Sequence, residues 1–156
     1  ANNPGLEVLA LETEPRSWQT SLSPFGTAQT LKPDLRLVTA SGEYEHHWFL
    51  EVDMATEHLP VITRQCLAYQ HFRATGRYEA EHGLFPAVIW ITPTKQRRAQ
   101  LHARIAADKQ LDSRLFTVVT LDEVPLLLQA GVEDFRSPPT QPGHNAPASG
   151  NEEHPS

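Results

Sequence analysis

Lys32-Pro33-Asp34-Leu35-Arg36-Leu37-Val38-Thr39 and Trp48-Phe49-Leu50-Glu51-Val52-Asp53 flank a Ser41-Gly42 turn signal. Both runs are short, apolar and rich in β-branched or aromatic residues, which predicts a β-hairpin closed by a longish loop. Side chains alternate along a strand, so Phe49, Glu51 and Asp53 share one face and Trp48, Leu50 and Val52 the other. With neighbouring strands about 4.8 Å apart, Asp34 reaches the same pair if the register brings it opposite. Two carboxylates about 5 Å apart repel by about 3 kcal/mol at an effective dielectric of about 20. Two readings follow. Either the acids sit hydrated on a solvated strand face, or they converge on a hard divalent cation, of which Mg²⁺ is the usual one where phosphates are handled.

Outward from the hairpin, Leu6 to Leu11 reads as a first strand running into Glu12-Thr13-Glu14-Pro15. Ser17 to Thr30 is rich in Ser, Thr, Pro and Gly and reads as a loop whose Trp18 and Phe25 cover an edge of the core. On the other side, Thr56 is placed to cap a helix with Pro60 in its first turn and Gly76 as its stop. Leu59, Ile62, Cys66 and Tyr69 recur at helical spacing as one buried stripe, with Gln65 on its shoulder. Pro86 to Thr92 is a continuous apolar run, expected as a central strand covered on both faces. Thr94 caps a helix over Lys95 to Ala107, Leu115 to Thr120 makes a further buried strand, and Asp122 to Ala130 a short helix ended by Gly131. Strands alternating with helices argue for a mixed α/β sheet with crossovers. From Ser137 to Ser156 no aliphatic residue larger than Ala occurs, and this Pro-rich tail is expected to be disordered, leaving 1–136 as one α/β domain.

Composition bounds the function. The chain has 156 residues, 39% apolar, and a net charge of −6, which opposes strong non-specific nucleic-acid binding by the whole surface. The basic concentration lies between Thr94 and Lys109, where Lys95, Arg97 and Arg98 are joined by Arg104 and Lys109 against the single acid Asp108. Lys95, Arg97 and Arg98 are therefore the candidate phosphate-backbone contacts, or else a solvated helix face. A single cysteine, Cys66, excludes an intrachain disulfide framework and a cysteine-built zinc cage. The eight histidines form no His-Glu-x-x-His helix, and there is no glycine-rich phosphate loop or Gly-x-Ser-x-Gly elbow. No apolar run approaches a membrane span or a signal core, which makes the cytoplasm the expected location. A chain opening on Ala1 rather than Met is expected of a processed piece.

Pro33-Asp34 at a strand start, followed across a hairpin by Glu51-x-Asp53 and then a helix, resembles the PD-(D/E)XK nuclease superfamily. The longer string Phe49-Leu50-Glu51-Val52-Asp53-Met54-Ala55-Thr56-Glu57, continued by Gln65-Cys66-Leu67-Ala68-Tyr69 and Phe85-Pro86-Ala87-Val88, is similar to the replication-relaxation family of bacterial mobile elements, from about Leu6 to Gly131. The resemblance implies a restriction-endonuclease-like mixed β-sheet flanked by helices, acting on DNA in plasmid replication, relaxation or transfer. It implies Asp34 and Glu51, with Asp53, as ligands of Mg²⁺ (or Mn²⁺), with Glu12 or Glu14 as a further acid. Catalytic members carry Lys two residues after the Glu, where this chain has Asp53; Lys32 is the stand-in, and Gln65 is a residue such proteins place beside the metal. A family-typical winged-helix segment upstream would supply sequence recognition. The alternative is a non-catalytic DNA-binding or protein-docking module that keeps the same fold.

Overall fold

A computed structural model describes residues 5–137; the expected disordered tail beyond Ser137 lies outside the described residues. The chain runs β1 (Leu6–Thr13), β2 (Gln19–Leu22), β3 (Ala28–Leu31), β4 (Leu35–Ser41), β5 (Tyr44–Val52), α1 (Leu59–Ala74), α2 (Arg77–His82) and β6 (Ala87–Thr92). It continues with α3 (Lys95–Ala107), β7 (Phe116–Thr120), α4 (Val124–Ala130) and α5 (Val132–Arg136). Five strands form one sheet in the order β1-β4-β5-β6-β7, antiparallel from β1 to β5 and parallel from β5 to β7. The expected mixed α/β sheet flanked by helices is what forms.

Alternation along the strands builds two cores. Phe49, Val88, Trp90 and Phe116 face one side, under Ile62, Cys66, Tyr69 and Phe72 of α1 and Leu101 and Ile105 of α3. Trp48, Leu50, Ile89, Ile91 and Val119 face the other side, under Leu127 of α4. The helical stripe expected from Ile62, Cys66 and Tyr69 is therefore buried, and Thr94 caps α3 by accepting a hydrogen bond from Arg97 N at 3.1 Å. Burial in apolar surroundings pushes the Cys66 thiol up to about 12, which makes it an inert core residue. After α1 the chain reverses at Gly76, whose φ of 68° is a left-handed conformation open to Gly at little cost.

Four expectations need correction. The β4–β5 connection is not a longish loop but a tight turn in which only Gly42 and Glu43 separate the strands, and β5 begins at Tyr44, well before Trp48. Ser17 to Thr30 is not a loop: it carries the two-stranded β2–β3 hairpin. Phe25 does not cover the core either. It stands at the hairpin tip with 94% of its surface exposed, because Ser23 and Thr27 close the turn beneath it. The helix after β5 starts at Leu59 with His58 as its cap, not at Thr56.

Phe49 is fully buried, with the rings of Tyr69, Tyr78 and Phe85 each within 6 Å of its own. Phe49→Ala is expected to lower the free energy of unfolding by about 3 to 5 kcal/mol in urea titrations; a change below about 1 kcal/mol would contradict this packing.

Candidate active site

The β4–β5 register pairs Leu35 with Leu50, which places Asp34, just before β4, across from Glu51. Asp34 Oδ2 accepts a hydrogen bond from Val52 N at 2.8 Å, so its carboxylate is tied to the backbone next to Glu51. Glu51 is 8% exposed, on the sheet face that α1 covers. There Tyr69 donates its hydroxyl to Glu51 Oε1 at 2.5 Å. Burial disfavours the charged form of Glu51 and is the main reason its pKa is pushed up to about 8. The Tyr69 hydrogen bond pulls the other way, whereas the negative charge of Asp34, hydrogen bonding between the two carboxyl groups, and the charge of Glu14 all push it higher. Tyr69, buried against these acids, has its own pKa raised. At neutral pH Glu51 therefore keeps its proton.

The other expected site residues lie as follows. Glu14 acts on Glu51 through its charge and accepts a hydrogen bond from Trp18 Nε1 at 3.1 Å, while Glu12 is bound to Arg36 Nη1 at 2.5 Å. Of these two acids Glu14 belongs to the neighbourhood of the pair. Lys32 extends its ammonium over the Trp18 ring, 4.5 Å from the centroid. Gln65, one turn before Tyr69 on α1, has its Oε1 buried with no hydrogen-bond partner among the described residues. A buried acceptor left unmet costs about 1 to 3 kcal/mol, so this atom has a stake in any cation or water that reaches it.

Asp53 does not join the pair. Arg97 of α3 grips it with two hydrogen bonds, Nε to Oδ2 at 2.7 Å and Nη2 to Oδ1 at 3.2 Å, and also donates to Glu57 O at 2.9 Å. The expected meeting of three acids is replaced by two acids plus this ion pair, and no group of three or more His, Cys, Asp and Glu side chains able to hold a metal ion occurs among the described residues. The same contact corrects the expected basic face, because Arg97 is turned into the fold and Arg98 is paired with Glu123. Of the three expected phosphate contacts, Lys95 is exposed. The pairings of Asp53 and Arg97, 44 residues apart, carried no local sequence signal. Glu14 was marked by its place at the end of the first strand, but nothing local separated it from Glu12.

Taken together, a mixed five-stranded sheet that holds two carboxyl groups side by side at the mouth of a hairpin, under a helix bearing an unpartnered amide, defines an α/β domain with a buried acidic centre. The chain belongs to the replication-relaxation family, whose model matches residues 6–88, more than half of its length. That family points to a role in plasmid replication or relaxation. Neither a curated protein nor a solved structure matches the chain. No helix among the described residues is long and apolar enough to cross a membrane.

The raised pKa of Glu51 has a sign that solution measurements can check. Between its ordinary value of 4.5 and about 8 the folded protein binds a proton that the unfolded chain has lost. Stability must then fall as pH rises through that window, by up to about 1.4 kcal/mol per pH unit, and this contribution levels off above it. Glu51→Gln keeps an oxygen for the Tyr69 hydroxyl and removes the titration. It is expected to flatten the pH dependence of unfolding and to be more stable than the parent at pH 8; an unchanged slope would contradict the protonated carboxyl.

Proposed function

We propose that this chain is a nuclease-like DNA-processing domain of the PD-(D/E)XK type, in which Asp34 and Glu51 hold Mg²⁺ and hydrolyse a phosphodiester bond during plasmid replication or relaxation. The observation that carries this reading is the placement of the buried Glu51 carboxyl next to Asp34, under the helix that also bears the unpartnered Gln65 Oε1. Mg²⁺ is ordinarily bound by one or two carboxylates with waters filling its other positions, so these two acids fit it without Asp53. When bound, Mg²⁺ supplies charge neutralisation at the scissile phosphate and acidifies a coordinated water.

The chain's own residues do the remainder. With the cation bound, Glu51 would release its proton to solvent and serve as a second anionic ligand, while the Tyr69 hydroxyl, hydrogen-bonded to Oε1, would fix the carboxylate's orientation. Asp34 is held in place by Val52 N. Gln65 would orient water from the α1 side, and Lys32, exposed beside the Trp18 ring, would meet the phosphate. Glu14 adds negative charge that further favours a cation. Upstream sequence recognition would come from a winged-helix partner domain.

A non-catalytic reading is favoured by one specific observation: the position where catalytic relatives carry Lys holds Asp53, and that carboxylate is committed to Arg97. In that case the domain binds DNA or docks a protein, and the acids are structural.

Metal addition separates the two. At a Mg²⁺ concentration about a hundredfold above its dissociation constant, the parent should gain about 2.7 kcal/mol of stability. Asp34→Asn and Glu51→Gln should lose that gain, and supercoiled DNA should be nicked by the parent alone. Stabilisation without nicking leaves the non-catalytic module; neither effect, with Mg²⁺ or with Mn²⁺, removes the metal from the account.

A further inference from the structure

We infer that the β2–β3 hairpin is a base-stacking finger that presents Phe25 to unpaired bases of DNA lying against the Asp34–Glu51 centre. The inference rests on the DNA-processing reading and adds to it a contact and a preferred form of DNA.

The hairpin is rooted in the site itself. Glu14 stands before it and Asp34 after it, and both act on Glu51. Its two stems are clamped where they leave the sheet: Ser17 Oγ donates to Pro33 O at 2.6 Å, Trp18 Nε1 reaches Glu14, and Lys32 lies over the Trp18 ring. Arg77 braces the first strand by donating to Thr20 O.

The tip is equally well defined. Ser23 N donates to Thr27 O at 2.8 Å, Gly26 N to Ser23 O at 2.9 Å, and Thr27 N to Ser23 Oγ at 3.1 Å. This knot holds Phe25 out at 94% exposure, with Leu22 at 65% beside it. An aromatic ring in water gains nothing from the fold, so its placement on an ordered projection is unexplained by packing. Four residues of strand carry the tip roughly 13 Å from the root, which is about four nucleotides along a strand at about 3.4 Å each.

Charge selects the kind of contact. Between Gln19 and Leu31 there is no charged residue, so the finger has nothing with which to neutralise phosphates. The whole chain carries −6, and Arg97 and Arg98 are paired internally. Any contact the finger itself makes with DNA must then be non-ionic, and stacking of a base on an aromatic ring is such a contact and is tolerant of sequence. Arg16 and Lys32 at the hairpin root are exposed and suited to the backbone of the same strand.

The test uses a fluorescently labelled single-stranded oligonucleotide containing 2-aminopurine, and the matching duplex, with the full chain, Phe25→Ala and Phe25→Trp. Because Phe25 is nearly fully exposed, Phe25→Ala should fold as the parent does, which circular dichroism checks. Its affinity for the single strand should fall about tenfold, as loss of one stacked base implies. The slope of log K against log salt should stay unchanged, since no ionic contact is lost. The 2-aminopurine response should vanish with Phe25→Ala and persist with Phe25→Trp. Parent binding that is indifferent to Phe25 overturns the finger alone, as does an equal loss on the fully paired duplex. A parent that binds neither DNA overturns the finger together with the DNA-processing reading.

Discussion

The hydrogen bond from Val52 N to the Asp34 carboxylate is the constraint on which the site depends. It fastens the residue that enters β4 to the residue that leaves β5, at the open end of the hairpin, and so keeps one carboxylate beside another that the core has already buried. Without it Asp34 would turn to water, and Glu51 would be a lone buried acid with only Tyr69 to answer it. With it, Glu51 can stay buried only as a neutral group or with a cation. A protein that tolerates such a pair spends stability on it, and spending of that kind is concentrated at functional sites.

The surrounding fold makes the arrangement stiff. Phe49 lies two residues before Glu51 on the same sheet face and is packed by the rings of α1 and α2, so the strand carrying Glu51 has no freedom to roll. Farther along β5 a second polar network pins α2 to the sheet: Arg36 Nε donates to the Tyr78 hydroxyl at 2.9 Å, and that hydroxyl meets His47 Nδ1 at 2.6 Å. His47 Nε2 is in turn 2.8 Å from Glu45 Oε1. Burial is the chief cause that lowers the pKa of His47, and with Nε2 donating to Glu45 its Nδ1 accepts a hydrogen bond from the Tyr78 hydroxyl. At the far end of β5, Arg97 clasps Asp53 and joins α3 to the strand terminus. The hairpin is thus held along its length, and the acid pair sits where these restraints converge.

Much of this was legible in the sequence, for physical reasons. The β4–β5 pairing followed from two dense apolar runs, and the shared face of Phe49 and Glu51 from the strand period. The α1 stripe and the bounds of α3 were clear because helical spacing and a Thr cap are strong local signals. The β2–β3 hairpin was missed because Gln19–Leu22 and Ala28–Leu31 bury little and carry no apolar alternation; its strands are recognisable only through their pairing. The strand period cannot show which group Asp53 meets, since its partner comes from α3, four elements farther along the chain. The superfamily word and the family string led to the same Asp34 and Glu51 that the fold brings together, but neither could say that Arg97 would withdraw from the surface.

What the site requires is that Glu51 keeps its proton at neutral pH beside Asp34. It is tested most directly by following the side-chain carboxyl ¹³C resonance of Glu51 against pH, in metal-free protein and again with Mg²⁺. A midpoint near 8 is expected without metal, moving well down when Mg²⁺ is added. A midpoint at the ordinary glutamate value of 4.5 in the metal-free protein would contradict it.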